Sequence, residues 1–425
     1  MKDHVVSVLL WGREIAKLEW LGGYKPGFGR QGAKISFHPD YMSYGWDLDP
    51  IGPYNHSSYL VQKGLSDRCR ASEYEGLPRF LSGSLPDDWG NAVFSAWADS
   101  RNIRHADITA VDKLGFIGKR GMGALEFVPE LYEGISPDNA LILEELYDLS
   151  RQIQQNREGL SVDLNAQPGI GDLMAVGMSA GGVHPKAIIA IDWNTGEVKS
   201  GQFLLPENYT QYILKFRDSA VWPTAEVEWA FQKLAIRAGI TMENCRLLSM
   251  DGQNHFLTER FDRKNGRKLH TATLQALNGD TVSYEQLLKV CRKMRLPYPD
   301  MEQVFRRAVF NYLSGVCDDH DKNFSFILSP DGVWRLAPAY DVTFTVNLMN
   351  KFIGDRHVLS LSGQNRQISR SDILRFAEQG DIRNAASIVE EITEAVGAFE
   401  SVASEIGIED PVRSLILAHI RSHTP

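Results

Sequence analysis

Residues 316–328 read VCDDHDKNFSFIL, and the reading of this stretch decides the fold. An apolar face leads into it: Val304, Phe305, Ala308, Val309, Tyr312, Leu313 and Val316 recur at the spacing of an amphipathic helix. The polar run that follows breaks this period, and FSFIL resumes as a strand. Ser329-Pro330-Asp331-Gly332 supplies turn residues. VWRLAPAYD, 333–341, then returns as the partner strand, with the hairpin midpoint near Asp331. Asn323 lies eight residues before that midpoint and Asp341 ten after it. Antiparallel pairing therefore puts both at one end of the hairpin, with Asp318 in the loop just ahead of Asn323.

Two carboxylates and an amide at one hairpin end suit a metal–phosphate site. Mg²⁺ is a hard cation that takes one or two carboxylates together with phosphate oxygens and water. In kinases of the eukaryotic type, a catalytic-loop Asp orients the hydroxyl nucleophile, and a later Asn and an Asp beyond it hold the metal. Asp318, Asn323 and Asp341 follow that order, without the His-Arg-Asp and Asp-Phe-Gly triplets. Any one of them alone reads as a solvated loop acid, but three in this helix–loop–hairpin order favour function. His320 is open to either reading. A metal hydrolase using His320 with Asp318 and Asp319 is the weaker alternative, because no second histidine cluster accompanies it.

Working outward, a phosphate site of this kind needs a strand lysine and a helix glutamate that holds it. Lys215 lies in YILKF, 212–216, a strand. The helix expected over 225–238 shows one face of Val227, Phe231, Leu234, Ala235 and Ala238, and Gly239 ends it. It carries Glu228, the preferred partner of Lys215, and Glu226, a competing one. GMSAGGVHPKA, 177–187, precedes the strand AIIAID, 187–192. Backbone amides of such a loop can cradle phosphates, although no Gly-Lys-Ser/Thr of a Walker A loop is present. RLLSM and HFLTERF read as strands joined at Asp251-Gly252.

Toward the N-terminus, 5–11 and 14–20 read as strands around a Gly12-Arg13 turn, followed by a Gly-rich stretch at 22–32. A helix starts near Asp87. LGFIGKRGMGALEFVPE, 114–130, reads as a glycine-punctuated loop and a short strand, and a helix follows over about 138–155. A further long amphipathic pattern covers 382–405. The fold class is therefore α+β, with a β-rich N-terminal part and a helical C-terminal part. The boundaries divide the chain into 1–135, 136–265 and 266–425.

The 425 residues, 43% hydrophobic, suffice for a large core. A net charge of −9 argues against holding bare nucleic acid by general electrostatics, so any DNA contact runs through a basic partner. Cys69, Cys245, Cys291 and Cys317 show no zinc or redox spacing and fit a reducing compartment. With no signal-like N-terminus and no apolar run near membrane-span length, the expectation is a cytoplasmic protein without membrane contact.

Five segments in order, GMSAGGVHPKA, ILKF, FLTERFDR, CDDHDKNFSF and LAPAYDV, resemble the HipA family of toxin serine/threonine kinases. LPDDWGN and GFIGKRGMGALEF resemble the N-terminal subdomain of many members, while 22–60 is poorly matched. The resemblance implies a two-lobed protein-kinase-like fold that uses ATP and Mg²⁺. It implies Asp318 as catalytic base, Asn323 and Asp341 as magnesium ligands, and Lys215 on the phosphates. Gly181, Gly182, Val183, His184, Pro185 and Lys186 would form the phosphate loop. Glu259, Arg260 and Phe261 would form the interlobe linker whose backbone meets adenine. His320, Lys322, Asn323 and Tyr340 would border the nucleotide. Ser179 matches the family's autophosphorylated serine, whose modification ejects the loop. The implied partners are a HipB-like helix-turn-helix antitoxin, operator DNA through that antitoxin, and a protein substrate of the aminoacyl-tRNA synthetase class. A small-molecule kinase and a catalytically silent scaffold of a repressor complex are the alternatives.

Overall fold

The computed structural model describes residues 4–131, 140–157, 173, 176–177, 182, 184–219, 221–347 and 354–423. Ser179, Gly181 and Val183 lie outside the described residues.

The N-terminal part is an antiparallel sheet. Its strands are β1 (Val5–Leu10), β2 (Arg13–Trp20), β3 (Tyr24–Lys25), β4 (Gly29–Phe37), β5 (Ser66–Arg70) and β6 (Leu125–Val128). The order is β3-β4-β2-β1-β6, with β5 also paired to β4. Val6, Val8 and Leu10 alternate inward, the period of two that a half-buried strand imposes. The β1–β2 turn falls at Trp11-Gly12, one residue ahead of the expected Gly12-Arg13. Both take positive φ (47° and 77°), as a tight two-residue hairpin turn requires. The expected loop from 114 instead starts as helix, Ala110–Ile117. Thr109 and Asp112 form a reciprocal capping box that nucleates it, which the glycines downstream obscured.

A second antiparallel sheet comprises β7 (Lys186–Ile191), β8 (Val198–Ser200), β9 (Thr210–Lys215), β10 (Cys245–Met250) and β11 (Gln253–Glu259), in the order β10-β11-β9-β7-β8. β7 is buried along its whole length, and its residues after Lys186 form an unbroken apolar run. The helix Thr224–Arg237 buries Val227, Phe231, Leu234 and Ala235.

The remaining part is mostly helical. It also holds the small β12–β13 ribbon (Arg263–Lys264, Arg267–Lys268) and the sheet of β14 (His270–Thr273), β15 (Ser325–Leu328) and β16 (Trp334–Leu336). The helix Tyr298–Ser314 ends at Gly315, whose φ of 81° closes it. It delivers the chain to the β15–β16 hairpin. There Phe326 faces Leu336 and Leu328 faces Trp334, so the register centres on Asp331 as expected. The amphipathic run at 382–405 is two helices, Ala385–Gly397 and Phe399–Ile406. They break beside Gly397, where a glycine weakens helix continuity.

Two clusters of contacts are among those that fasten the N-terminal part to the rest. Asp262, fully buried, accepts from Arg260, from Arg263 and from the Gly123 amide at 2.6 Å. The segment 22–60 seats on the hairpin tip: Trp46 Nε1 donates to Pro330 O and Trp334 Nε1 to Asp47 O, each at 2.9 Å. This architecture is two-lobed and kinase-like, with the cleft at the base of the β15–β16 hairpin.

Candidate active site

β7 and β9 run antiparallel with Lys186 directly opposite Lys215. Like charges facing across adjacent strands are unfavourable, and both lysines are largely out of water. The arrangement holds because anions surround it. Lys215 Nζ donates to Glu228 Oε1 at 2.5 Å and also to Asp341 Oδ1. Burial alone would lower the Lys215 pKa, but the Asp341 and Glu228 carboxylates outweigh it and hold the ammonium above its ordinary value. Burial would likewise raise Asp341, yet Lys215 and Lys186 keep it well below the usual carboxylate range. Glu228 is raised, because burial outweighs its share of Lys215. One ammonium does not fully compensate two carboxylates. Burial also lowers the Lys186 pKa, against the pull of Asp341.

Asp341 sits at the hairpin base with φ of 54°, a left-handed conformation that non-glycine residues adopt sparingly. Asn323 Nδ2 donates to the Asp318 carbonyl at 2.7 Å. This commits the amide nitrogen and leaves the amide oxygen as the ligand atom the side chain can offer. The Asp318 amide is anchored on Thr345 Oγ1 at 2.9 Å, while its carboxylate is 62% exposed and open to a substrate. Asp318, Asn323, Tyr340 and Asp341 line one cleft, with Arg307 and Asn311 behind them. Tyr340 stacks on Phe261, ring centroids 5.8 Å apart. Its hydroxyl donates to the Lys322 carbonyl at 2.6 Å. His320 Nε2 lies 3.8 Å from Asp318 Oδ2.

Other sequence-singled residues fall elsewhere. Glu226 accepts from Asn254 at 2.9 Å and lies near Arg217, away from Lys215. Glu259 Oε2 accepts from Asn244 at 3.2 Å. The Arg260 guanidinium points away from the cleft into the Asp262 cluster, because that buried carboxylate demands a cationic partner. The Arg260 amide bonds Gln211 O at 2.9 Å, so only its carbonyl is left for a ligand among its main-chain groups. His184 is paired with Asp218, and Pro185 is buried where β7 begins.

Asp319 corrects the hydrolase alternative. It is 1% exposed and accepts from Tyr284 OH at 2.7 Å, His357 Nδ1 at 3.0 Å and the Val358 amide at 2.8 Å. With the Leu359 amide as a further donor, both of its oxygens are committed to bracing the loop. Among the described residues no group of three or more His, Cys, Asp or Glu is arranged to hold a metal ion.

Sequence reading missed one member of the site. Asp87 Oδ1 accepts from Lys322 Nζ at 2.7 Å and Asp87 Oδ2 from the Gly182 amide at 3.0 Å. Its local signal is that of a helix N-cap, and nothing local announces a contact 235 residues away.

A strand lysine held by a helix glutamate, with an Asp–Asn–Asp set at a hairpin base between two lobes, defines a molecule of the protein-kinase-like class. The HipA-like C-terminal domain pattern matches residues 178–402, and the HipA N-terminal domain pattern matches 6–128. The chain belongs to the HipA family. It is 24% identical over 336 residues to the serine/threonine-protein kinase toxin HipA of Shewanella oneidensis, covering 72% of this chain and 69% of that one. It is 31% identical over 185 residues to a putative kinase of Haemophilus influenzae, covering 39% of this chain and spanning about half of the relative, 52%. A chain of the solved Shewanella oneidensis complex of HipA, HipB and operator DNA superposes with a TM-score of 0.66 at 17% identity. That superposition covers 99% of this chain and 95% of the other. Among the described residues no helix is long and apolar enough to cross a membrane.

Proposed function

We propose that the chain is an ATP- and Mg²⁺-dependent serine/threonine protein kinase acting as the toxin of a toxin–antitoxin module. The observation that carries this reading is the Lys215 ammonium shared between Glu228 and Asp341, beside the exposed Asp318 carboxylate. The donor set fits the cofactor. Asp341 and the Asn323 amide oxygen are hard oxygen ligands, and a magnesium ion completed by phosphates and water needs no larger protein cage. Bound Mg²⁺ would neutralise charge on the transferred phosphoryl group.

In this reading Lys215 lets go of Asp341 and engages the phosphates, while Glu228 keeps it aimed. Asp318 accepts the proton of a serine or threonine hydroxyl as that oxygen bonds to the γ-phosphorus. The bond to the bridging oxygen breaks and ADP leaves. Positioning and electrostatics supply the acceleration. Phe261 and Tyr340 offer an aromatic wall for the adenine.

The proposed partners are a HipB-like antitoxin, operator DNA through it, and a cytoplasmic protein substrate of the aminoacyl-tRNA synthetase class. The net charge of −9 accords with indirect DNA contact. Ser179 is the proposed autophosphorylation position. Incubation with γ-labelled ATP and Mg²⁺, followed by peptide mapping, should place label on Ser179. A folded protein that binds ATP yet labels neither itself nor any protein of a cell extract would overturn the protein-kinase reading. Label on metabolites alone would move it to a small-molecule kinase.

A further inference from the structure

Asp87 occupies the N-cap position of the helix Asp88–Ser100 but forms no capping bond with that helix. An N-cap aspartate ordinarily accepts from its own helix amides. Here one carboxylate oxygen takes the Gly182 amide and the other takes Lys322 Nζ. The same helix start grips the loop twice more. The Trp89 amide donates to Gly182 O at 3.0 Å, and Trp89 Nε1 donates to Lys186 O at 2.8 Å. Lys186 Nζ is close by, since a Cβ added at Gly182 would meet it at 2.5 Å. An anion from the N-terminal domain thus sits among a loop amide and lysine ammonium groups. Those are the donors a terminal phosphate uses.

We propose that Asp87 is a specificity-determining residue of the nucleotide site: a carboxylate standing where the terminal phosphate binds, which that phosphate must displace. The inference rests on the kinase reading above and assigns the N-terminal domain a direct part in phosphate affinity. The Asp87 and Lys322 side chains are 31% and 44% exposed, and a partly exposed ion pair is weak. A ligand of higher charge can therefore take its place. The residual negative charge then disfavours each added phosphate, so the site distinguishes nucleotides by phosphate number.

The test is calorimetric titration of the full chain with ATP–Mg²⁺ and, separately, with adenosine. Asp87→Asn keeps the shape and removes the charge. Asp88→Asn, at the exposed neighbouring acid, is the control. Asp87→Asn should bind ATP about five-fold more tightly, the scale of one screened charge contact, with adenosine affinity unchanged. Matched melting curves would establish that all three proteins are folded. ATP affinity that is unchanged or weakened in Asp87→Asn overturns the proposal, as does equal tightening for ATP and adenosine. If neither the wild type nor either variant binds ATP, the kinase reading itself fails. That outcome differs from ATP binding without a charge effect, which sinks the displacement idea alone.

Discussion

Lys215→Met isolates the electrostatic core of the site in the absence of any ligand. Methionine keeps the aliphatic length and removes the charge that Glu228 and Asp341 share. Removing one partner of a buried ion pair costs about 3–5 kcal/mol, since it strands the other charge. The Glu228 side chain is 11% exposed and Asp341 34%. Water therefore screens Asp341 in part, and the lower end, about 3 kcal/mol, applies. At about 2–4 °C per kcal/mol for a domain of this size class, melting should fall by about 6–12 °C at pH 7.5.

The pH dependence carries the sign. In the wild type Asp341 is depressed, so its contribution is present above its unfolded pKa and lost as pH falls through the folded one. Lys215 is raised, so its contribution is present below its unfolded pKa and lost only as pH rises through the folded value. Both are fully present from pH 5 to 8. In Lys215→Met Glu228 loses its bonded ammonium while Asp341 keeps the pull of Lys186, so Glu228 takes up a proton more readily than in the unfolded chain, a contribution that favours the variant as pH falls. Differential scanning fluorimetry from pH 8 to 5 should show the gap from wild type narrowing. A loss under about 2 °C, or a gap that is constant or widens toward pH 5, refutes the reasoning.

Asp318 and Asp319 are adjacent and should behave oppositely. Asp318→Ala should leave melting nearly unchanged but reduce transfer by about 10²–10⁴-fold. Asp319→Ala, which strands several buried donors, should cost about 3–5 kcal/mol of stability by denaturant titration. His270 is buried and pushed down to about 3, so the unfolded chain binds a proton there that the folded chain excludes. Stability should therefore fall as pH drops from about 6.5 toward 3, by up to about 1.4 kcal/mol per pH unit from this group. His270→Phe, which can still pack on Trp334, should flatten that slope in acid melting curves. Asp262→Ala should cost about 3–5 kcal/mol, because it strands the buried Arg260 and Arg263, which with the Gly123 amide hold this carboxyl ionised against burial. A denaturant midpoint equal to that of the wild type would remove the fastening role.

The parts of the site set by local pattern were legible. The hairpin register follows from turn residues and strand periodicity, which alone bring Asn323 and Asp341 to one end. Lys215 stood out as a charge in an apolar strand, and helical spacing offered Glu228 and Glu226. Choosing between them needed the sheet-to-helix packing that turns Glu226 toward Asn254. The role of Arg260 was illegible because Asp262 and Gly123 come together only through the fold of the N-terminal part. Asp87 is the sharpest case. Its sequence neighbourhood specifies a helix start, and its contacts with Gly182 and Lys322 are properties of domain docking. The helix Ala110–Ile117 was missed for the opposite reason: its capping box was present in the sequence but overshadowed by the glycines that follow.

The central claim is that Lys215, Asp318, Asn323 and Asp341 form one phosphotransfer site. It is tested most directly by γ-phosphate transfer from labelled ATP–Mg²⁺, comparing the wild type with Asp318→Ala and Asp341→Asn at equal folded concentration. The account predicts label on protein with the wild type, ATP binding without label for Asp318→Ala, and loss of the Mg²⁺ requirement for binding in Asp341→Asn. Transfer at wild-type rates by Asp318→Ala would contradict it.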